Sequence, residues 1–316
     1  MTAKTDPYIN RLMAWVHERF PLPNAIMFFT LYFCAAFLGR MITAEGPILV
    51  GKNDLGGCLV TWALFLLIRV VDEHKDYESD VRNYPERVLQ RGLITLENLQ
   101  TLGAGALGII VGWSLWLDHG LGPVVMSLGV VFIWFLLMSK EFFCGEWLEK
   151  HITLYAVSHM VLMPMVLFWL MNLGASPAGV EPLNVAGLLL MALSFISGMA
   201  FELTRKTRGP EEEREGVDSY SKAYGTKGSA YIIMTLQAVV LICQLWLMRE
   251  IVQTATFNTG LVILCLAFGL SWFSLIQFIR NPTEKGRKMN EGMVGLSGLL
   301  GYGAIIAAMI VERGIQ

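Results

Sequence analysis

Four carboxylates stand together where a long apolar run of the chain gives way to polar sequence: Asp72, Glu73, Asp76 and Asp80. Asp72, Asp76 and Asp80 are four apart, and Glu73, Asp76 and Asp80 follow an i, i+3, i+7 pattern, so a continuing helix gathers them on one side. Like charges at that spacing destabilise a helix by roughly a few tenths of a kcal/mol per pair, which calls for a cation beside them. Magnesium suits the place. It is a hard ion that takes oxygen ligands, keeps several waters, and is held by one or two carboxylates plus the phosphates of a substrate. The same residues also fit a solvated helix end in which Lys75 and Arg82 neutralise the acids. Spacing alone leaves both readings open.

A second polar stretch, 202–228, mixes both signs densely. Glu202 closes an apolar run as Asp72 does, and Arg205, Lys206 and Arg208 follow at once. Arginine forks and lysine point charges suit phosphate oxygens, although basic residues at the cytoplasmic end of a span also satisfy the positive-inside bias. His159 and Met163, beside Pro164, lie within an apolar run and read as packed residues. The aromatics from Phe132 to Phe135 and at Phe168 and Trp169 fit lipid contact, core packing or a hydrophobic tunnel equally well. There is no convincing P-loop, dinucleotide fingerprint, HExxH motif or nucleophile elbow.

The elements that must position these groups are membrane helices. The 316 residues are 54% hydrophobic and 16% charged, against roughly 45–50% and 25% in soluble domains. The apolar residues come in runs near the ~20 residues a spanning helix needs, such as Ala25 to Arg40, Leu121 to Ser139 and Ile152 to Leu173. Nine spans are expected, at about 25–43, 55–72, 97–117, 121–139, 152–173, 183–203, 229–248, 258–279 and 293–312. An odd count puts the termini on opposite sides. The N-terminal segment and every second loop then hold 19 of the 24 basic residues, which places the N-terminus and both polar loops in the cytoplasm.

The two polar loops follow the second and sixth spans, an arrangement that suggests two four-helix units plus a ninth helix. Residues 1–24 form an N-terminal segment, and 25–316 a single transmembrane unit. Residues 8–20, with Ile9, Leu12, Met13, Val16 and Phe20 at helical spacing, fit an interfacial helix or an extension of the first span. No cleavable signal is expected, because Lys4, Arg11, Arg19 and the Pro21/Pro23 turn precede the first apolar run. Gly103, Gly105 and Gly108 in the third span are small residues that let helices approach. The five cysteines are scattered, mostly within apolar runs, and read as small core residues. A net charge of −2 gives no sign of a nucleic-acid partner.

At the first acidic stretch the chain resembles the UbiA superfamily of intramembrane prenyltransferases. The family pattern there is Asn-Asp-x-x-Asp-x-x-x-Asp, then Arg-Pro-x-Arg-Pro-Leu and a glycine. Asp76, Asp80, Pro85, Arg87, Leu89 and Gly92 match in register; Asp72 and Glu73 stand for the leading Asn-Asp, and Tyr84 and Val88 replace an Arg and a Pro. Lys150, His151 and Thr153 resemble the family's Lys-Arg-x-Thr. The second motif departs most: where the family has two or three aspartates, this chain has Glu202, Arg205 and Lys206, with Glu211 to Glu213 later and only Gly216, Val217, Asp218, Ser219 and Gly225 similar to the family's ending.

The resemblance implies an all-α integral membrane fold of nine helices around a central cavity. It also implies a magnesium-dependent enzyme that ionises an isoprenyl diphosphate and passes the allylic cation to an acceptor. Asp76 and Asp80 would be catalytic metal ligands, helped by Asp72, Glu73 and Glu202. Lys75, Arg87, Lys150, Arg205, Lys206, Arg208 and Tyr220 would line the diphosphate site. The partners implied are an isoprenyl diphosphate and the lipid bilayer, and the setting a bacterial inner membrane. Acceptor, prenyl length, number of magnesium ions and oligomeric state stay open. A terpene cyclase without acceptor, a phosphoribosyl-type transferase and a cation transporter are the competing readings.

Overall fold

The computed structural model describes residues 3–181, 184–214, 217–252 and 254–316. Gly216, the start of the second motif's family-like ending, lies outside the described residues, as does Leu183. Among the described residues the structure is helical, without strands. Its helices are α1 (Tyr8–Arg19), α2 (Ala25–Thr43), α3 (Lys52–Lys75), α4 (Tyr77–Asn83), α5 (Leu96–Leu117), α6 (Pro123–Ser139), α7 (Gly145–Glu149), α8 (Ile152–Met160), α9 (Leu162–Ala175), α10 (Val185–Arg205), α11 (Tyr220–Ile251), α12 (Thr254–Arg280) and α13 (Glu284–Arg313).

Eight stretches among the described residues are long and apolar enough to cross a bilayer, and they fall on eight of the nine expected runs. The chain is a multi-pass integral membrane protein. The run expected over about 121–139 forms α6, whose 17 residues are shorter than the others. Gly120, at φ 132°, turns the chain first, and Pro123 then opens the helix, which trims the span from its start. The expected span over 152–173 is one 24-residue crossing made of α8 and α9, interrupted at Val161. Pro164 lacks an N–H and its ring crowds the carbonyl four residues back, so the helix breaks there.

Several helix starts carry side-chain caps that satisfy their first N–H groups. The Thr95 hydroxyl accepts from the Asn98 N–H at 3.2 Å, and Asn98 returns the bond to the Thr95 N–H. The Ser219 and Thr283 hydroxyls accept from the Lys222 and Gly286 N–H groups and cap α11 and α13. Close helix approach depends on Gly39 and Gly174, where an added Cβ would overlap the backbone of Met171 and Ala36 respectively, across the α2/α9 interface. Of the glycines expected in the third span, Gly103 faces Val70, whereas Gly105 and Gly108 look onto open space.

Helix α1 is separate from the first span. The chain turns at Phe20 (φ −140°) and Pro21, so the reading as a helical extension is set aside. Its Trp15 is fully buried with Val88, Leu89, Leu93 and Ile94 of the loop after α4, while Tyr8, Ile9 and Met13 are exposed.

Candidate active site

The end of α3 carries the acids, but they do not form one bare face. The helix breaks at Asp76 (φ −89°, ψ 1°) and restarts as α4. Helical hydrogen bonds nevertheless continue across the break, from Asp76 N–H to Asp72 C=O at 2.9 Å and from Asp80 N–H to Asp76 C=O at 2.8 Å. The four carboxylates then divide into two pairs.

Glu73 and Asp80 are buried and held by arginines. Glu73 Oε1 accepts from Arg19 Nε at 2.6 Å and from Arg69 Nη2 at 2.7 Å. Asp80 Oδ2 accepts from Arg87 Nη1 at 2.5 Å, with Arg19 Nη2 3.5 Å away. Asp72 and Asp76 have no side-chain hydrogen bond or ion pair among the described residues. Asp76 has an exposed face, yet burial of its carboxyl pushes it above the usual carboxylate range. Asp80, Glu141 and Glu73 add to the rise and Lys75 opposes it.

Tyr155 on α8 joins the two motif ends. Lys75 Nζ donates to its hydroxyl at 2.5 Å and sits 5.2 Å from its ring centroid; Lys206 Nζ lies 5.9 Å from the same centroid. Glu141 Oε1 is 3.2 Å from Lys75 Nζ. Glu141, Phe142 and Phe143 are all left-handed (φ 48°, 53° and 58°), a strain of about 1–3 kcal/mol for each non-glycine residue. The Glu141–Lys75 pair and the packing of Phe142 on Trp134 and His159 hold the turn in place.

On α10, Glu202 binds both Arg205 (2.7 Å) and Lys206 (2.8 Å), so the second motif presents two bases against one acid that they already engage. Arg205 is within electrostatic reach of Asp72 on the facing helix end. Arg208 Nη1 is buried without a partner. The later acids serve the loop: Glu212 pairs with Arg287 at 2.7 Å, Glu211 accepts from the Glu284 N–H at 2.7 Å, and Glu213 accepts from Ser219 and Ser221. Tyr84 bridges the loops, with the Arg87 guanidinium 3.8 Å and the Arg214 guanidinium 5.2 Å from its ring centroid.

Tyr220 is fully buried beside the second motif, its N–H donating to the Lys206 carbonyl at 3.1 Å and its hydroxyl to the Ile152 carbonyl at 3.4 Å. Lys150 is exposed at the end of α7, near Thr153, which bonds Tyr224 at 2.5 Å. Arg19, Arg69, Tyr84, Glu141 and Tyr155 are the residues that spacing did not single out. Only Arg69, four before Glu73, had a local signal. A cavity of about 800 Å³ opens at the opposite end of the bundle, beside Arg40 and Asp54.

The donors fit magnesium in the mode where phosphates complete its shell: two unpartnered carboxylates one turn apart, beside the buried, unpaired Oε2 of Glu73. Among the described residues no three acidic, histidine or cysteine groups form a ready metal cage.

The described residues thus form an all-helical membrane bundle with acids and bases gathered at the ends of α3 and α10. A sequence model of the UbiA prenyltransferase family matches residues 26–294, and the chain belongs to that family. The fold is similar to three solved structures. A UbiA homologue from Aeropyrum pernix K1 gives a TM-score of 0.65 at 13% identity, covering 90% of this chain and 98% of that one. A digeranylgeranylglyceryl phosphate synthase gives 0.62 at 18%, covering 96% and 99%. A UbiA homologue from Archaeoglobus fulgidus, bound to DMAPP and Mg2+, gives 0.57 at 12%, covering 95% and 99%. No curated protein matches the sequence.

Proposed function

We propose that the chain is a magnesium-dependent prenyltransferase that ionises an isoprenyl diphosphate at the cytoplasmic end of α3 and α10. The observation that carries this reading is the division of the acids. Asp72 and Asp76 are left without protein partners, while cations from both motifs gather at Tyr155. A similar fold is reported with DMAPP and Mg2+ bound, and family membership supports the same chemistry.

Bound magnesium would supply charge neutralisation of the leaving diphosphate. Asp72 and Asp76 would hold it, with Glu73 and Asp80 kept in reserve by their arginines. Lys75, Arg205 and Lys206 would grip diphosphate oxygens as charge builds on the leaving group. Arg87 would orient from its seat on Asp80, and Arg208 would offer its unpaired Nη1. The apolar bundle excludes water from the allylic cation. Because Glu202 is engaged by its own bases, the second motif supplies positive charge in place of a second metal. That observation also favours an acceptor-free cyclase as the second reading. We place nine crossings in two related halves, with the N-terminus and both loops in the cytoplasm.

The test is incubation of purified protein with C10 to C20 prenyl diphosphates, with and without candidate acceptors, and products read by mass spectrometry. Magnesium-dependent diphosphate release is expected. Prenylated acceptor supports the transferase, and hydrocarbon made without acceptor supports the cyclase. Absence of diphosphate release across the panel contradicts both.

A further inference from the structure

Helix α1 lies before residue 26, where the family match begins, yet it reaches the acidic motif at several points. Arg19 Nε donates to Glu73 Oε1 at 2.6 Å, and its Nη2 approaches Asp80 Oδ2 at 3.5 Å. One residue earlier, Glu18 accepts from the Val88 N–H at 3.1 Å, and Arg11 Nη1 donates to the Leu93 carbonyl at 3.0 Å. Trp15 is buried among Val88, Leu89, Leu93 and Ile94. The helix is therefore fastened to the motif loop by packing, by backbone bonds and by charge.

We propose that Arg19 is a positioning residue of the diphosphate site, through which α1 holds Glu73 and Asp80 in ion pairs and leaves Asp72 and Asp76 as the metal-binding pair. This rests on the function proposed above. Glu73 has a longer arm than the aspartate usual at its place, and the arm ends between Arg19 and Arg69 with its second oxygen buried and unpaired. A planar guanidinium presents donors in a fork that spans two carboxylates, which an ammonium does not. Without Arg19, Glu73 keeps only Arg69 of its own helix, and Asp80 only Arg87. The cluster then loses its one excess positive charge, and each acid is held from one side only, beside the place an anionic substrate must occupy.

The experiment measures binding of farnesyl thiolodiphosphate, a non-ionising probe, by calorimetry in magnesium buffer, alongside the melting temperature of each purified variant. Arg19→Ala is expected to weaken binding on the order of tenfold or more, the range for truncating one partner of a buried charge pair. Adding Glu73→Gln to that variant restores the net charge of the cluster and is expected to bring binding back to within about threefold of wild type. Arg19→Lys, which keeps the charge and lacks the fork, is expected to lose about threefold and serves if the alanine variant does not purify. Binding within twofold of wild type in both Arg19 variants overturns the proposal. A loss that Glu73→Gln does not recover also overturns it, since α1 would then only support the fold. Wild-type protein that shows no magnesium-dependent binding overturns the diphosphate reading itself, a result distinct from either.

Discussion

Lys75 and Tyr155, 80 residues apart, meet in a 2.5 Å hydrogen bond that ties the end of α3 to α8. Because Lys206, the residue that caps the end of α10, lies over the same ring, Tyr155 sits between the two motifs. Tyr155→Phe removes a hydrogen bond to a charged group, worth about 1.5–3 kcal/mol. The expected outcome is a loss of roughly tenfold or more in kcat/KM for a prenyl diphosphate, with a melting temperature a few degrees lower. Steady-state kinetics on detergent-purified protein check it.

Tyr84 is held between Arg87 and Arg214, one from each motif loop. The contacts are to the ring face, so Tyr84→Phe is expected to behave as wild type. Tyr84→Ala loses two cation–π contacts of about 0.5–2 kcal/mol each. A rise in KM for the prenyl diphosphate of roughly 3- to 30-fold is expected, with kcat less affected. A comparison of the two variants under identical conditions separates ring from hydroxyl.

Asp76 combines a functional need with a cost to the empty protein. Burial raises its carboxyl above the usual value, so between the unfolded and the raised folded value the native state holds more protons than the unfolded one. Stability of the metal-free protein therefore falls as pH rises through that window, whereas magnesium binding, which needs the ionised form, improves in the same direction. Asp76→Asn is expected to raise the melting temperature of the metal-free protein above that window and to flatten its pH dependence within it. Thermal melts in chelator, taken upward from the ordinary carboxylate range to neutral pH, check both.

Gly39 and Gly174 face the backbones of Met171 and Ala36 with no room for a Cβ. Alanine at either position forces α2 and α9 apart, an overpacking cost of about 1–3 kcal/mol. A melting temperature several degrees below wild type is expected. Gly105→Ala, which meets open space, is expected to leave it unchanged, so the three variants form one internally controlled melting experiment.

The parts legible in the sequence were those with a local signature. Apolar runs marked the helices, and the i, i+4 acids marked the end of α3, because hydropathy and spacing are properties of contiguous residues. Two features shortened or broke the runs: Gly120 and Pro123 trimmed α6, and Pro164 split the crossing that contains His159. The division of the acids was not legible. Which carboxylate is neutralised depends on Arg19, 54 residues from Glu73, and Tyr155 enters the site only because α8 packs beside the ends of α3 and α10. Tyr220, suggested by the resemblance, is wholly buried and meets the second motif through its N–H, which donates to the Lys206 carbonyl.

The central claim is that Asp72 and Asp76 hold the magnesium that a prenyl diphosphate needs. A magnesium titration of farnesyl diphosphate turnover tests it most directly, using wild type, Asp72→Ala, Asp76→Asn and Glu202→Gln. Turnover abolished by chelator and restored by magnesium is expected. Losses on the order of 100-fold are expected in kcat/KM for each of the two aspartate variants, with a smaller loss for Glu202→Gln. Turnover that persists in chelator, or that survives both aspartate substitutions, would contradict it.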